Sequence, residues 1–170
     1  VASGCDAGIL TPKPAGAAVW IAAAACGLGL GALLVGVVRG SHVLRSVGKT
    51  GASTAMVAFG LLVGLLDAGA PGQLAALALV LSWVGDVLLL WDDKRVFLAG
   101  LVAFLLAHVA YAASFLAFGV TAWAVALGAA LMAPFAIAVG RALAPKAGRL
   151  AKPVMAYIAV ISCMVCLAAG

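Results

Sequence analysis

Val96 to Phe118 is a run of 23 residues in which His108 is the only group that titrates near neutrality. Five further stretches of the chain are comparably apolar. A helix needs about 20 mostly apolar residues to cross a bilayer core. Six spans are therefore expected: Ala15–Val38, Thr50–Leu66, Gln73–Trp91, Val96–Phe118, Ala122–Gly140 and Pro153–Gly170. Strands of a membrane barrel would alternate apolar and polar residues with a period of two. Leu74–Leu81 and Gly100–Ala107 are apolar at every position, which excludes the barrel. The expected fold class is all-α, a polytopic transmembrane helix bundle.

Composition supports this. Only 9% of the 170 residues are charged and 67% are hydrophobic, whereas a water-facing surface needs roughly 25% charged residues. A soluble domain is excluded, and abundant apolar residues exclude disorder. The formal net charge of +5 is spread over short connections, with no basic stripe interleaved with aromatics. No nucleic-acid partner is expected. The bilayer itself is the expected environment.

The basic residues also orient the spans. The first connection holds Arg39, Arg45 and Lys49, the third Lys94 and Arg95, and the fifth Arg141, Lys146, Arg149 and Lys152. Only Lys13, in the N-terminal tail, falls on the other side. Cytoplasmic loops carry the excess of Lys and Arg. Residues 1–14 are thus expected outside and the odd loops inside, as in a multi-pass protein of a bacterial plasma membrane, with residues 15–170 forming one domain. Trp20, Trp91 and Trp123 fall near span ends, as interfacial anchors do. Both ends of the chain look cut, since it starts at Val1 and stops where the sixth span just finishes crossing.

Ionisable groups inside spans are costly and therefore informative. An Asp near the bilayer centre costs about 2.5–3.5 kcal/mol. The chain has five acids, all aspartates, and only Asp86 lies well inside a span. It sits about 7–8 Å from the end of the third span, where burial favours its neutral form. Gly85 beside it leaves room for a helix or a ligand. The plainer alternative is an interhelical hydrogen bond. His108 shares a helical face with Phe104, Tyr111 and Phe115; it could equally be a neutral packing residue. Its backbone lies about 10 Å further into the bundle than that of Asp86. Tyr157 lies near the depth of Asp86, and Lys49 enters from the cytoplasmic rim. These four are expected around one cavity, with His108 at its inner end. Ser82, one turn before Asp86, and Phe104 join Lys49 as candidate substrate contacts.

Other features read more simply. Asp92–Arg95 is expected to be a solvated turn, with a supporting role for Asp93 at the cavity mouth as the weaker option. Cys163 and Cys166 have CxxC spacing but lie inside a span without a second pair. A zinc site needs about four ligands, so they are read as packing residues, and no metal or cofactor is expected. Cys5 is read as incidental.

Ser82–Leu89 (SWVGDVLL), followed by Phe97–Tyr111 (FLAGLVAFLLAHVAY), resembles the YhhN family, the lysoplasmalogenase-like membrane proteins. Lys49 matches a lysine of that family, although Thr50 stands where a proline often follows. Pro153–Tyr157 and Met164 are similar to its sixth-helix pattern, so the resemblance spans Lys49 to Met164. Members typically have eight helices and a second aspartate after the sixth, so this chain is expected to lack two helices. The resemblance implies hydrolysis of the vinyl ether bond of a lysoplasmalogen, a lysophospholipid, to a fatty aldehyde and a glycerophospho-base. Protonating the double bond gives an oxocarbenium ion that water captures, as carboxylic acids achieve in glycoside hydrolysis. Asp86 would be the acid. His108, Tyr111 and Tyr157 would position water or the ether oxygen, and Lys49 would meet the phosphate. The rival from another class is a non-enzymatic transporter or lipid-binding protein, because carriers also use intramembrane Asp and His.

Overall fold

The computed structural model describes residues 16–148 and 151–170; the tail call on residues 1–14, Cys5, Lys13 and Arg149 fall outside the described residues. The described residues form six α-helices, one short 3-10 turn at Leu65–Asp67 and no strand: α1 Ala17–Val38, α2 His42–Leu62, α3 Gly69–Leu88, α4 Lys94–Phe118, α5 Ala122–Ala147 and α6 Ala151–Ala168. All except α2 are long and apolar enough to cross a membrane. The chain is a multi-pass membrane protein with an all-α bundle fold.

The largest departure from expectation is α2. It starts at His42 rather than Thr50 and stops at Leu62 rather than Leu66. The turn before it explains why. The Ser41 amide donates to Gly36 O (3.0 Å) and the Gly40 amide to Val37 O (3.3 Å), which closes α1 with a Schellman motif. Gly40 takes φ +65°, a conformation that costs a residue with a Cβ. Ser41 then caps α2 by accepting from the Leu44 amide at 3.4 Å. Three residues therefore both end one helix and start the next. As a result Arg45 and Lys49 lie on α2, not in a loop. The other basic residues of this end follow suit: Lys94, Arg95, Arg141 and Lys152 all sit on helices. Of all six helices, α2 segregates polar from apolar residues most strongly. A polar face suits a helix that borders a polar cavity.

The hairpins α1–α2, α3–α4 and α5–α6 are the tightest pairs. They join through α2–α3 and α4–α6, so the spatial order is α1, α2, α3, α4, α6, α5. α5 makes no close backbone approach to α4, its neighbour in sequence, among the described residues. Its first turn is tied to α6 instead, through the Thr121 amide and Gly170 O at 2.9 Å. Small residues set the contacts inside the pairs, as expected where packing rather than hydrophobicity drives association. A Cβ on Gly48 would collide with the backbone nitrogen of Leu33 on α1. At the far end of α3, buried Ser114 on α4 donates to Pro71 O at 2.8 Å.

Asp93 is not a free loop residue. Its Oδ1 accepts from the amides of Arg95 (2.8 Å) and Val96 (3.1 Å), capping α4. The cap fixes where α4 begins and hence how it registers against α3.

Candidate functional site

Four helices line an open cavity of about 400 Å³. Cys26 and Leu33 line it from α1. Lys49, Ala52, Ser53 and Met56 line it from α2, and Leu79, Ser82, Trp83 and Asp86 from α3. Tyr111 closes it from α4. The spacings are helical stripes: 49, 52, 53, 56 on α2 and 79, 82, 83, 86 on α3. Each stripe mixes polar and apolar members, Lys49 and Ser53 on α2 and Ser82 and Asp86 on α3, and packing the two stripes against each other brings them together. The Trp83 indole N–H donates to Thr54 Oγ1 at 2.9 Å and ties α3 to α2 beside the cavity.

Lys49 and Asp86 meet inside it. Lys49 Nζ lies 3.2 Å from Asp86 Oδ1, the only ion pair among the described residues, with side chains 29% and 18% exposed. The sequence put both residues around one cavity, and both line this one; their direct pairing was not foreseen, because Lys49 was placed at a loop end. It lies seven residues into α2, about 10 Å along the helix, which brings it level with Asp86. Further in, Ser82 on α3 and Tyr111 on α4 face the same space. The Ser53 hydroxyl is turned away into its own helix, donating to Lys49 O (3.1 Å) or Thr50 O (3.2 Å).

The remaining candidates lie elsewhere. Phe104 fills the space beside Gly85: a Cβ there would lie 2.6 Å from Phe104 Cδ2. The room at Gly85 is thus occupied by α4, and Phe104 is a packing residue outside the cavity lining. His108 and Tyr157 pair edge-to-face across α4 and α6, with ring centroids 5.7 Å apart. Neither lines the cavity. His108 Nδ1 is 2.6 Å from Phe104 O. A carbonyl only accepts, so Nδ1 is the donor of this bond. Tyr111 stacks on Phe115 at 6.4 Å. The face that holds Phe104, His108, Tyr111 and Phe115 therefore straddles a seam. Tyr111 and Phe104 turn to α3, and His108 turns to α6.

Cys163 and Cys166 are free thiols on α6, and Cys166 backs Gly128 of α5. No cluster of metal-ligating side chains occurs among the described residues. Sequence reasoning missed Cys26, Leu33, Ser53, Met56, Leu79, Trp83 and Thr54. Trp83 carried the best available signal, one polar handle beside Asp86 on an apolar span.

The model of the YhhN family matches residues 44–170, which include Lys49, Ser82, Asp86, Tyr111 and all of α3 to α6. The chain belongs to the YhhN family. The match begins on the first turn of α2, so α1 supplies Cys26 and Leu33 to the cavity from outside the matched region. No curated protein and no solved structure matches the chain.

Proposed function

We propose that this YhhN-family chain is a membrane-embedded ether hydrolase acting on lysoplasmalogen-type lysophospholipids. The observation that carries the reading is the Lys49–Asp86 pair in a cavity between apolar helices, lined for the rest by apolar side chains and a few hydroxyls. An intramembrane ion pair of this kind is expensive and marks function by default. A single-chain lipid suits the walls: apolar side chains for the hydrocarbon, a cation for the phosphate, and an acid for the reacting bond.

The chemistry assigns each group a step. Asp86 delivers a proton to the vinyl carbon that bears the alkyl chain; the double bond's electron pair forms the new C–H bond, and a lone pair of the ether oxygen stabilises the cation left on the adjacent carbon. The resulting oxocarbenium ion is captured by water, whose proton returns to the Asp86 carboxylate. The hemiacetal collapses to a fatty aldehyde and a glycerophospho-base. Ser82 and Tyr111 hold the water or the ether oxygen, and Lys49 binds the phosphate. His108 and Tyr157 act from the α4–α6 seam as positioning residues: their pairing fixes the side of α4 that Tyr111 uses.

The test is aldehyde release from lysoplasmalogen by the purified protein in lipid nanodiscs. Asp86→Asn is expected to lower turnover by about 10²-fold or more, the contribution of a positioned acid. Turnover equal to wild type removes Asp86 from the mechanism. Lipid movement across vesicles with no aldehyde formed would favour the carrier.

A further inference from the structure

Lys49 and Asp86 cannot both do their proposed work while bonded to each other, and this conflict points to a mechanism. We infer that the ligand's phosphate takes Lys49 away from Asp86, and that losing the cation is what loads Asp86 with its proton. The inference rests on the reading above, deepening it: the anionic group is then a trigger for the site, not merely an anchor.

The argument begins with charge. Among the described residues, the titratable groups that line the cavity with Asp86 are Lys49 from α2, Tyr111 from α4 and Cys26 from α1. Only Lys49 is a cation, so the empty cavity is neutral as an ion pair. A phosphodiester that enters while its cationic base stays in the water outside adds one negative charge. In apolar surroundings an uncompensated charge is far costlier than a change of protonation. Neutrality returns if one proton enters from water and joins the carboxylate. The cavity then holds a phosphate–ammonium pair and a neutral carboxyl, one proton richer and one anion richer than before.

Geometry allows the exchange. The Lys49 ammonium has three donors on a flexible four-carbon stem, and Asp86 Oδ1 at 3.2 Å engages one. The Lys49 side chain is 29% exposed, so it is not sealed in by its neighbours. The aspartate stem is short and the lysine stem long and flexible, so Lys49 is the partner that moves. A lipid without an anionic group leaves the pair intact and finds no proton to accept.

Infrared difference spectroscopy tests this without any turnover. The probe is a saturated 1-O-alkyl lysophospholipid, which has no vinyl bond to cleave, added to the protein in nanodiscs. Wild type is expected to gain the C=O stretch of a protonated carboxyl on binding, and Asp86→Asn to lose that band. The matching 1-O-alkylglycerol, which lacks phosphate, is expected to produce none. Lys49→Met, or Lys49→Gln if the first does not fold, is expected to show the band before any ligand is added. Saturating phospholipid that leaves the wild-type spectrum without the band overturns the inference, as does failure of the probe to bind. A band with no aldehyde released from the vinyl substrate would preserve the exchange and sink the hydrolase reading.

Discussion

The space lined by α1 to α4 measures about 400 Å³, and a second one between α5 and α6 about 450 Å³. The second is lined by Gly128, Leu131, Met132, Phe135, Val165 and Ala169, with no ionisable or hydroxyl side chain. Size does not distinguish the two; chemistry does. Two helices suffice to form an apolar groove, because small residues on one leave gaps that lipid chains can fill. An ion pair with two hydroxyls needs stripes from several helices registered to within an ångström or so. Consistent with that, the polar cavity is braced by backbone-close contacts at Gly48 and by the Trp83–Thr54 hydrogen bond. At the groove, a Cβ on Gly128 would lie 3.1 Å from Ala169 Cβ, an approach a small shift can relieve. Precision is concentrated where the chemistry is.

This contrast can be broken by experiment. The largest difference is expected in turnover: Asp86→Asn loses about 10²-fold or more in aldehyde release, whereas Leu131→Ala, 70% exposed in the groove, leaves the rate within about twofold. Equal losses would mean the two regions share one site. Next in size is packing. Gly48→Ala must push α1 from α2 and should destabilise by about 1–3 kcal/mol, read as a lower unfolding temperature in detergent. Gly128→Ala should cost less than about 1 kcal/mol on the same scale, and a reversed order would show that α5–α6 is the more tightly fitted pair. Smaller again is Trp83→Phe, which removes the hydrogen bond to Thr54 and should cost about 0.5–1.5 kcal/mol. Thr54→Val should cost a similar amount, and the double variant no more than either alone. Full additivity of the two would dissolve the bond as a brace.

Much of the bundle was legible in the sequence because a bilayer makes length and apolarity decisive. α4 matched its expected end at Phe118 and α1 its end at Val38. α2 did not match, because a charged residue was taken as a stop. A helix can carry Arg45 outward and Lys49 toward a partner, and Gly40-Ser41 was the real boundary signal. Asp86 stood out because acids are so rare in the chain. Its pairing with Lys49 was not legible, since it depends on how far two helices slide past each other. The same limit applies to His108 and Tyr111. Periodicity puts them on one arc of α4, but only the neighbours decide that the arc spans two interfaces. The thiol and leucine contributed by α1 carried no signal at all, being indistinguishable from the lipid-facing residues around them.

The separation of α5 from α4 has a consequence during synthesis. α5 leaves the ribosome before α6, yet α6 is the helix it packs on, and α6 also occupies the place beside α4. At about 5–20 residues per second, α5 waits in the membrane for on the order of seconds without its mate, and must not settle against α4 in the meantime. Pro134 and Pro145 lie within it, and the wait makes α5 the segment whose premature docking a nascent chain has most reason to avoid.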